Sequence, residues 1–240
     1  MKTSVLREGI AMIAMVSMLS GCLKSPDITP PDPKAYVSIM HLAPTAPSLD
    51  VFFNDQKVSN TPFVPGNVTV AYNAIDKGAF SIKFKKVASD SLVAEVPVVQ
   101  YDSLSFYTLF IYNLQANGPA KAVRIKDDFS TMLADKPYYR FFHASPNTGA
   151  VDLYIDNVKM ESGRLHADNT TSDALNKFLA TTTTSISHTV QVRLAGTQTV
   201  IASLNNVELQ ARSAYTFYLR GLDGGSGTSE LSLGLLRAVN

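Results

Sequence analysis

Residues 139–156 read Tyr139-Arg140-Phe141-Phe142-His143-Ala144-Ser145-Pro146-Asn147-Thr148-Gly149-Ala150-Val151-Asp152-Leu153-Tyr154-Ile155-Asp156. Two apolar stretches flank a short segment carrying Pro146 and Gly149, the pattern of two strands joined by a turn. From Asp152 to Asp156 the residues alternate, so Leu153 and Ile155 point to one face of a strand while Asp152, Tyr154 and Asp156 point to the other. A looser copy stands 102 residues earlier, where Tyr36, His41, Pro44, Asp50 and Lys57 fall on Tyr138, His143, Pro146, Asp152 and Lys159 without a gap. Farther along, a shift of 108 lays Ala94, Ser105, Tyr107, Thr108 and Leu114 on Ala202, Ser213, Tyr215, Thr216 and Leu222. The chain is therefore a duplication. The change of shift gives the second copy six extra residues between Lys159 and His188. There, Ser172 to Leu179 reads as a short helix with Ser172 as its cap, followed by an extended run from Thr181 to Ser185.

The copies span 35–129 and 137–240, joined by a linker at 130–136. Each is close to the commonest domain size. Within them, short apolar stretches rich in Val, Ile, Phe, Tyr and Thr alternate with Gly, Pro, Asn and Asp. That pattern predicts an all-β fold of two tandem antiparallel, immunoglobulin-like β-sandwich domains. In the first copy Val51 and Phe53 should face inward, and Asn54-Asp55 and Asp156-Asn157 sit where a tight hairpin needs residues that tolerate positive φ. Phe106-Tyr107 and Tyr138-Tyr139 place one ring on each face of a strand, so some rings must meet an edge, a domain junction or a binding surface.

Of the 240 residues 45% are hydrophobic, and 21 Lys and Arg balance 20 Asp and Glu to a formal charge of +1. The composition is that of a globular protein, and it lacks the basic excess that carries nucleic-acid binding. A single cysteine excludes an intramolecular disulfide and a thiolate metal cage. No cofactor or metal is expected.

Residues 1–21 follow the grammar of a signal peptide: Lys2 and Arg7, then an apolar run from Ile10 to Leu19 too short to span a bilayer. The run ends in Leu19-Ser20-Gly21-Cys22, which resembles the lipobox of bacterial lipoproteins. That resemblance implies a lipid on Cys22 as the link to a membrane. Residues 22–34 hold four prolines after the cysteine and read as an extended tether, reaching roughly 30 to 40 Å at about 3.1 Å per residue. Leu23 stands where an inner-membrane retention signal would carry Asp, which favours an outer-membrane anchor, facing either the surface or the periplasm.

The stretch from Tyr139 to Asp156 resembles the opening of the domain of unknown function 4397 family: an apolar strand, His-Ala-Ser-Pro, a short turn, then Val-Asp-Val-Tyr. The first copy carries the motif as Ile39-Met40-His41-Leu42-Ala43-Pro44 and Leu49-Asp50-Val51-Phe52. Similarity extends to the Gly78 to Phe84 strand and to Ser105-Phe106-Tyr107-Thr108 and Ser213-Ala214-Tyr215-Thr216. The resemblance implies a tandem β-sandwich lipoprotein of the bacterial envelope and brings no established chemistry.

His41 with Asp50 and His143 with Asp152 are the recurring polar pairs of catalytic type. As a dyad, Asp would orient His and His would act as base, but no Gly-x-Ser-x-Gly or comparable nucleophile element accompanies them. The preferred reading is structural: His41, Pro44, Asp50 and their counterparts His143, Pro146 and Asp152 fix the first turn of each copy. His166 and His188, with Asp168 and Asp173 nearby, match no metal-ligand spacing and are read as surface loop. Asp90-Ser91-Leu92 and Asp102-Ser103-Leu104 resemble Asp-Ser-aliphatic triplets glycosylated on Ser in some envelope bacteria, which marks Ser91 and Ser103. The sequence thus points to a non-enzymatic, lipid-anchored envelope protein that presents two sandwiches to a protein or glycan. The alternatives are a periplasm-facing scaffold subunit of an outer-membrane assembly and a hydrolase using His143 and Asp152.

Overall fold

The computed structural model describes residues 32–181 and 187–239. The expected signal peptide, Cys22 and the tether as far as residue 31 lie outside the described residues. No helix among the described residues is long and apolar enough to cross a membrane.

The two copies lay down eight strands each, in the same order. The first has β1 (Ala35–His41), β2 (Leu49–Phe53), β3 (Gln56–Lys57), β4 (Asn73–Ile75), β5 (Gly78–Lys86), β6 (Leu92–Tyr101), β7 (Phe106–Asn113) and β8 (Ala120–Asp127). The second has β9 (Tyr138–His143), β10 (Val151–Ile155), β11 (Val158–Arg164), β12 (Leu179–Ala180), β13 (His188–Leu194), β14 (Val200–Val207), β15 (Ala214–Arg220) and β16 (Ser232–Val239). Each copy folds into two four-stranded sheets, β4-β1-β7-β8 with β3-β2-β5-β6, and β12-β9-β15-β16 with β11-β10-β13-β14. The fold is all-β and built of sandwiches, as the alternation in Asp152 to Asp156 predicts. Leu153 and Ile155 sit in the core of the second sandwich and Val51 in that of the first, with Phe53 half-buried against it. Asn54, Asp156 and Asn157 take the left-handed backbone expected of them, at φ 52°, 49° and 64°.

Two details of the sequence reading are corrected. The sheets are antiparallel except at one pair per copy: β1 runs parallel to β7 and β9 parallel to β15. After its first strand the chain crosses at once to the opposite sheet, so that strand's neighbour comes from far along the chain and no hairpin dictates its direction. The register repeats with the duplication, Tyr36 opposite Phe106 and Tyr138 opposite Ala214. The helix expected at Ser172 to Leu179 is a single 3-10 turn, Asp173–Asn176, preceded by another at Asp168–Thr170. Ser172 occupies the cap position without a side-chain capping bond. The side chains of Asn169 and Asn176 hydrogen-bond across the two turns instead (Asn169 Nδ2 to Leu175 O 2.9 Å, Asn176 Nδ2 to Asn169 O 3.0 Å), which ends the helix after one turn.

The linker does not keep the sandwiches apart, and residues 33–240 form one compact unit. The sheets β4-β1-β7-β8 and β12-β9-β15-β16 pack back to back through Met40, Leu42, Phe110 and Tyr112 of the first copy and Phe142, Ala144, Tyr218 and Leu236 of the second. A second cluster joins Tyr138, Phe178, Ala214 and Ala238 to Tyr72, Phe129 and Met132. Inner strands are thus apolar on both faces: β9 is buried at every position and β7 at all but its first. One ring of each pair goes to a sandwich core (Tyr107, Tyr139). The other meets the junction, where Tyr138 is buried and Phe106 packs edge-on against Phe129.

At the centre of this junction lies a fully buried ion pair, Arg140 Nη1 to Asp127 Oδ1 at 2.5 Å. Arg140 also donates to Thr108 Oγ1 (2.8 Å) and to the counterpart hydroxyl, Thr216 Oγ1 (2.9 Å). Asp127 Oδ2 accepts from Tyr72 (2.5 Å) and Thr108 (2.7 Å). The guanidinium lies 4.3 Å from the Phe178 ring centroid and 4.7 Å from that of Phe142. Both charges are desolvated, so their geometry must supply what water would. Removing one partner, by Arg140→Ala or Asp127→Ala, leaves the other charge buried alone and should cost about 3–5 kcal/mol in urea denaturation. The double change Arg140→Met with Asp127→Asn, which removes both charges at nearly unchanged volume, should recover most of that loss.

Candidate functional site

The recurrent motif residues are separated by the two sheets of each sandwich. His41 ends β1, and its Nε2 lies 3.1 Å from Pro47 O. His143 ends β9, and its Nε2 lies 3.0 Å from Gly149 O, the position equivalent to Pro47. His143 Nδ1 accepts the Ser145 amide at 3.3 Å, so the ring proton sits on Nε2 and donates to the carbonyl. Pro44 and Pro146 stand inside the loop that each ring spans. Asp50 and Asp152 lie on the other sheet and meet lysines, Asp50 Oδ1 to Lys57 Nζ at 2.8 Å and Asp152 Oδ2 to Lys159 Nζ at 2.7 Å. Asp152 also accepts the Gly163 amide (2.8 Å) and the Gly196 amide (3.2 Å). Burial alone would raise its carboxyl, but Lys159 and these amides outweigh burial and hold it below the usual carboxylate value. No hydrogen bond joins His143 to Asp152 or His41 to Asp50 among the described residues. The structure does not assemble the dyad.

The remaining marked residues are scattered. Ser91 and Ser103 are exposed, each just before or after β6. His188, read as loop, is instead a strand residue of β13, 1% exposed, with Nδ1 2.7 Å from Asp156 Oδ2. The reason is positional: the insertion ends before it, and the shift of 108 lays His188 on Phe80, an interior strand position. His166 is half-buried against Tyr112 and His143, at 5.8 and 6.2 Å between centroids. Asp168 pairs with Arg164 at 2.8 Å. Among the described residues no three His, Cys, Asp or Glu side chains are grouped to hold a metal ion.

A feature absent from the sequence reading opens in the first sandwich. β3 has two residues, whereas its counterpart β11 has seven. Beyond Lys57 the chain carries Pro62 and Pro65, which cannot donate to a ladder, and it loops to the inner sheet instead of continuing an edge strand. The segment is tied down by Val58 N to Val51 O (2.8 Å), Phe63 paired with Leu49 (2.8 and 2.9 Å), Gly66 N to His41 O (2.7 Å), His41 N to Asn67 O (2.8 Å) and Thr69 N to Ile39 O (2.9 Å). Between it, β4 and the open flank of the sandwich lies a cleft of about 920 Å³. Ile39, Val51 and Phe53 line it. Their counterparts Phe141, Leu153 and Ile155 are all 0% exposed. In the second copy Met160 of β11 packs on the core, and Asn169 of the insertion hydrogen-bonds Phe141 O at 3.3 Å. Duplication thus supplies an internal control, one fold closed and the same fold open.

The family described as Domain of unknown function (DUF4397) matches residues 35–154, all of the first sandwich and the opening of the second. No curated protein matches the chain.

The turn histidines make a pH-dependent contribution. Burial lowers His41 and His143 from 6.5 to about 4, against the opposing pull of their carbonyl partners. The unfolded chain then binds the protons first, so stability is flat above pH 6.5 and falls as pH drops towards 4, by on the order of 3 kcal/mol per histidine. Urea denaturation at stepped pH should show that loss, and His143→Gln, which keeps a donor for Gly149 O, should remove about half of the slope.

Proposed function

The chain belongs to the Domain of unknown function (DUF4397) family, and on that premise we propose that it is a non-enzymatic, lipid-anchored binding protein of the cell envelope whose ligand site is the cleft of the first sandwich. The observation that carries this reading is the contrast between the copies. A fold present in two copies keeps its core sealed by β11 and the insertion in one, and leaves the equivalent core wall open in the other. An incompletely covered apolar wall costs stability, since the half-buried Ile39 and Phe53 forgo part of the burial that their counterparts have, and a ligand is the natural return for that cost. The lipobox at Leu19 to Cys22 and the prolines that follow support an anchor and a spacer. Leu23 supports the outer membrane as the anchoring surface. The back-to-back packing supports the second sandwich as a rigid base for the first.

Two measurements test this. Cells fed labelled fatty acid should incorporate it into the wild-type chain and not into Cys22→Ala, which should leave the membrane fraction; labelling of both would refute the anchor. In an NMR screen of the purified chain against mixed small ligands, shifts should concentrate at Gln56 to Thr61 and Asn73 to Asp76 and vanish in Val58→Trp, which blocks the cleft while the chain stays folded. Shifts confined to the second sandwich would refute the site.

A further inference from the structure

We propose that the cleft of the first sandwich takes a neutral oligosaccharide, an assignment that rests on the cleft being the binding site. Charge argues first. Lys34 and Asp76 are the charged residues on its wall, and they pair with each other. The wall therefore offers no net charge to a phosphate, a carboxylate or a basic peptide. Its polar groups are amides and hydroxyls instead. Gln56, Asn60 and Thr61 are exposed there, and their side chains make no hydrogen bond to other described residues. A side-chain amide both donates and accepts, as does a sugar hydroxyl, so each amide can engage adjacent hydroxyls of one ring.

The apolar part has a matching shape. Phe53 and Phe80 stack at 5.3 Å between centroids with planes 27° apart, both half-buried on the cleft wall. Behind them Phe80 stacks on Tyr101 at 4.5 Å, which fixes the plate in place. Phe80 is covered on both faces by Phe53 and Tyr101, so the Phe53 ring, half-buried beside the exposed amides, is the apolar surface for a ligand whose ring carries C–H on its faces and hydroxyls on its rim. The second copy has dismantled the same plate, with Ile155 for Phe53 and the buried His188 for Phe80. An extended peptide fits less well. β3 has two residues and β4 three, too few for an added strand to gain more than a couple of main-chain bonds.

The test uses the full-length chain in a detergent without a sugar headgroup, titrated with cellohexaose, mannohexaose and maltohexaose. At least one should bind saturably, with affinity unchanged between about 0.05 and 0.5 M salt because no ion pairing is involved. Gln56→Ala with Asn60→Ala, both exposed and so harmless to folding, should weaken binding about tenfold or more. Gln191→Ala on the second sandwich should leave it unchanged. Failure of all three sugars to bind, binding indifferent to the paired substitutions, or preference for heparin at low salt would each overturn the assignment. If the sugars fail while a peptide selected from a random display library binds and is lost in the paired variant, the cleft stands as a binding site and the glycan assignment falls. If no ligand is sensitive to those substitutions, both fall.

Discussion

The structure hangs on a single buried ion pair between two sheets that would otherwise face water. Arg140 and Asp127 have no exposed side-chain surface, and every polar atom they present meets a hydroxyl, a carbonyl or the opposite charge. A pair of this kind adds little net stability over a hydrophobic replacement, because both ions lose their water. Its effect is on selectivity: only an arrangement that brings these two side chains together, with Thr108 and Thr216 on either side, avoids a stranded charge. The apolar clusters above and below then supply the burial that holds the sheets together.

This junction explains how the copies have come to differ. With the inner sheets locked, the two outer flanks are free to vary independently. In the second copy β11 and the two 3-10 turns seal the flank, and Arg164 ties them with bonds to Asp168 and Asn169. In the first, the strand ends at Lys57, Pro62 and Pro65 lie in the loop that follows, and the flank stays open. One flank is sealed and the other open, on one topology.

Much of the fold was legible in the residues. Leu153 and Ile155 gave the period of a half-buried strand, the two shifts gave the duplication, and Asn54 and Asp156-Asn157 marked the hairpins. The back-to-back junction was half visible. Tyr138-Tyr139 and Phe106-Tyr107 demanded apolar surroundings on both faces, but what covers the second face comes from other segments, Tyr72 and Phe129 among them, which periodicity does not encode. The parallel pairs were hidden because strand direction across a sandwich follows from topology, not from any local pattern. The cleft was hidden for a different reason: it exists through what the first copy lacks. Aligning Pro62 with Arg164, the last strand residue of β11 in the second copy, was the one signal that pointed to it.

The ion pair is asymmetric: Ser38 stands where the second copy has Arg140, and strand pairing sets Val239, opposite Ala214, where the first has Asp127, opposite Phe106. Two first halves meeting through this surface would bury two carboxylates with no cation, and two second halves would bury two guanidiniums with no anion. The two halves are therefore not interchangeable at this surface: each brings the charge that the other lacks.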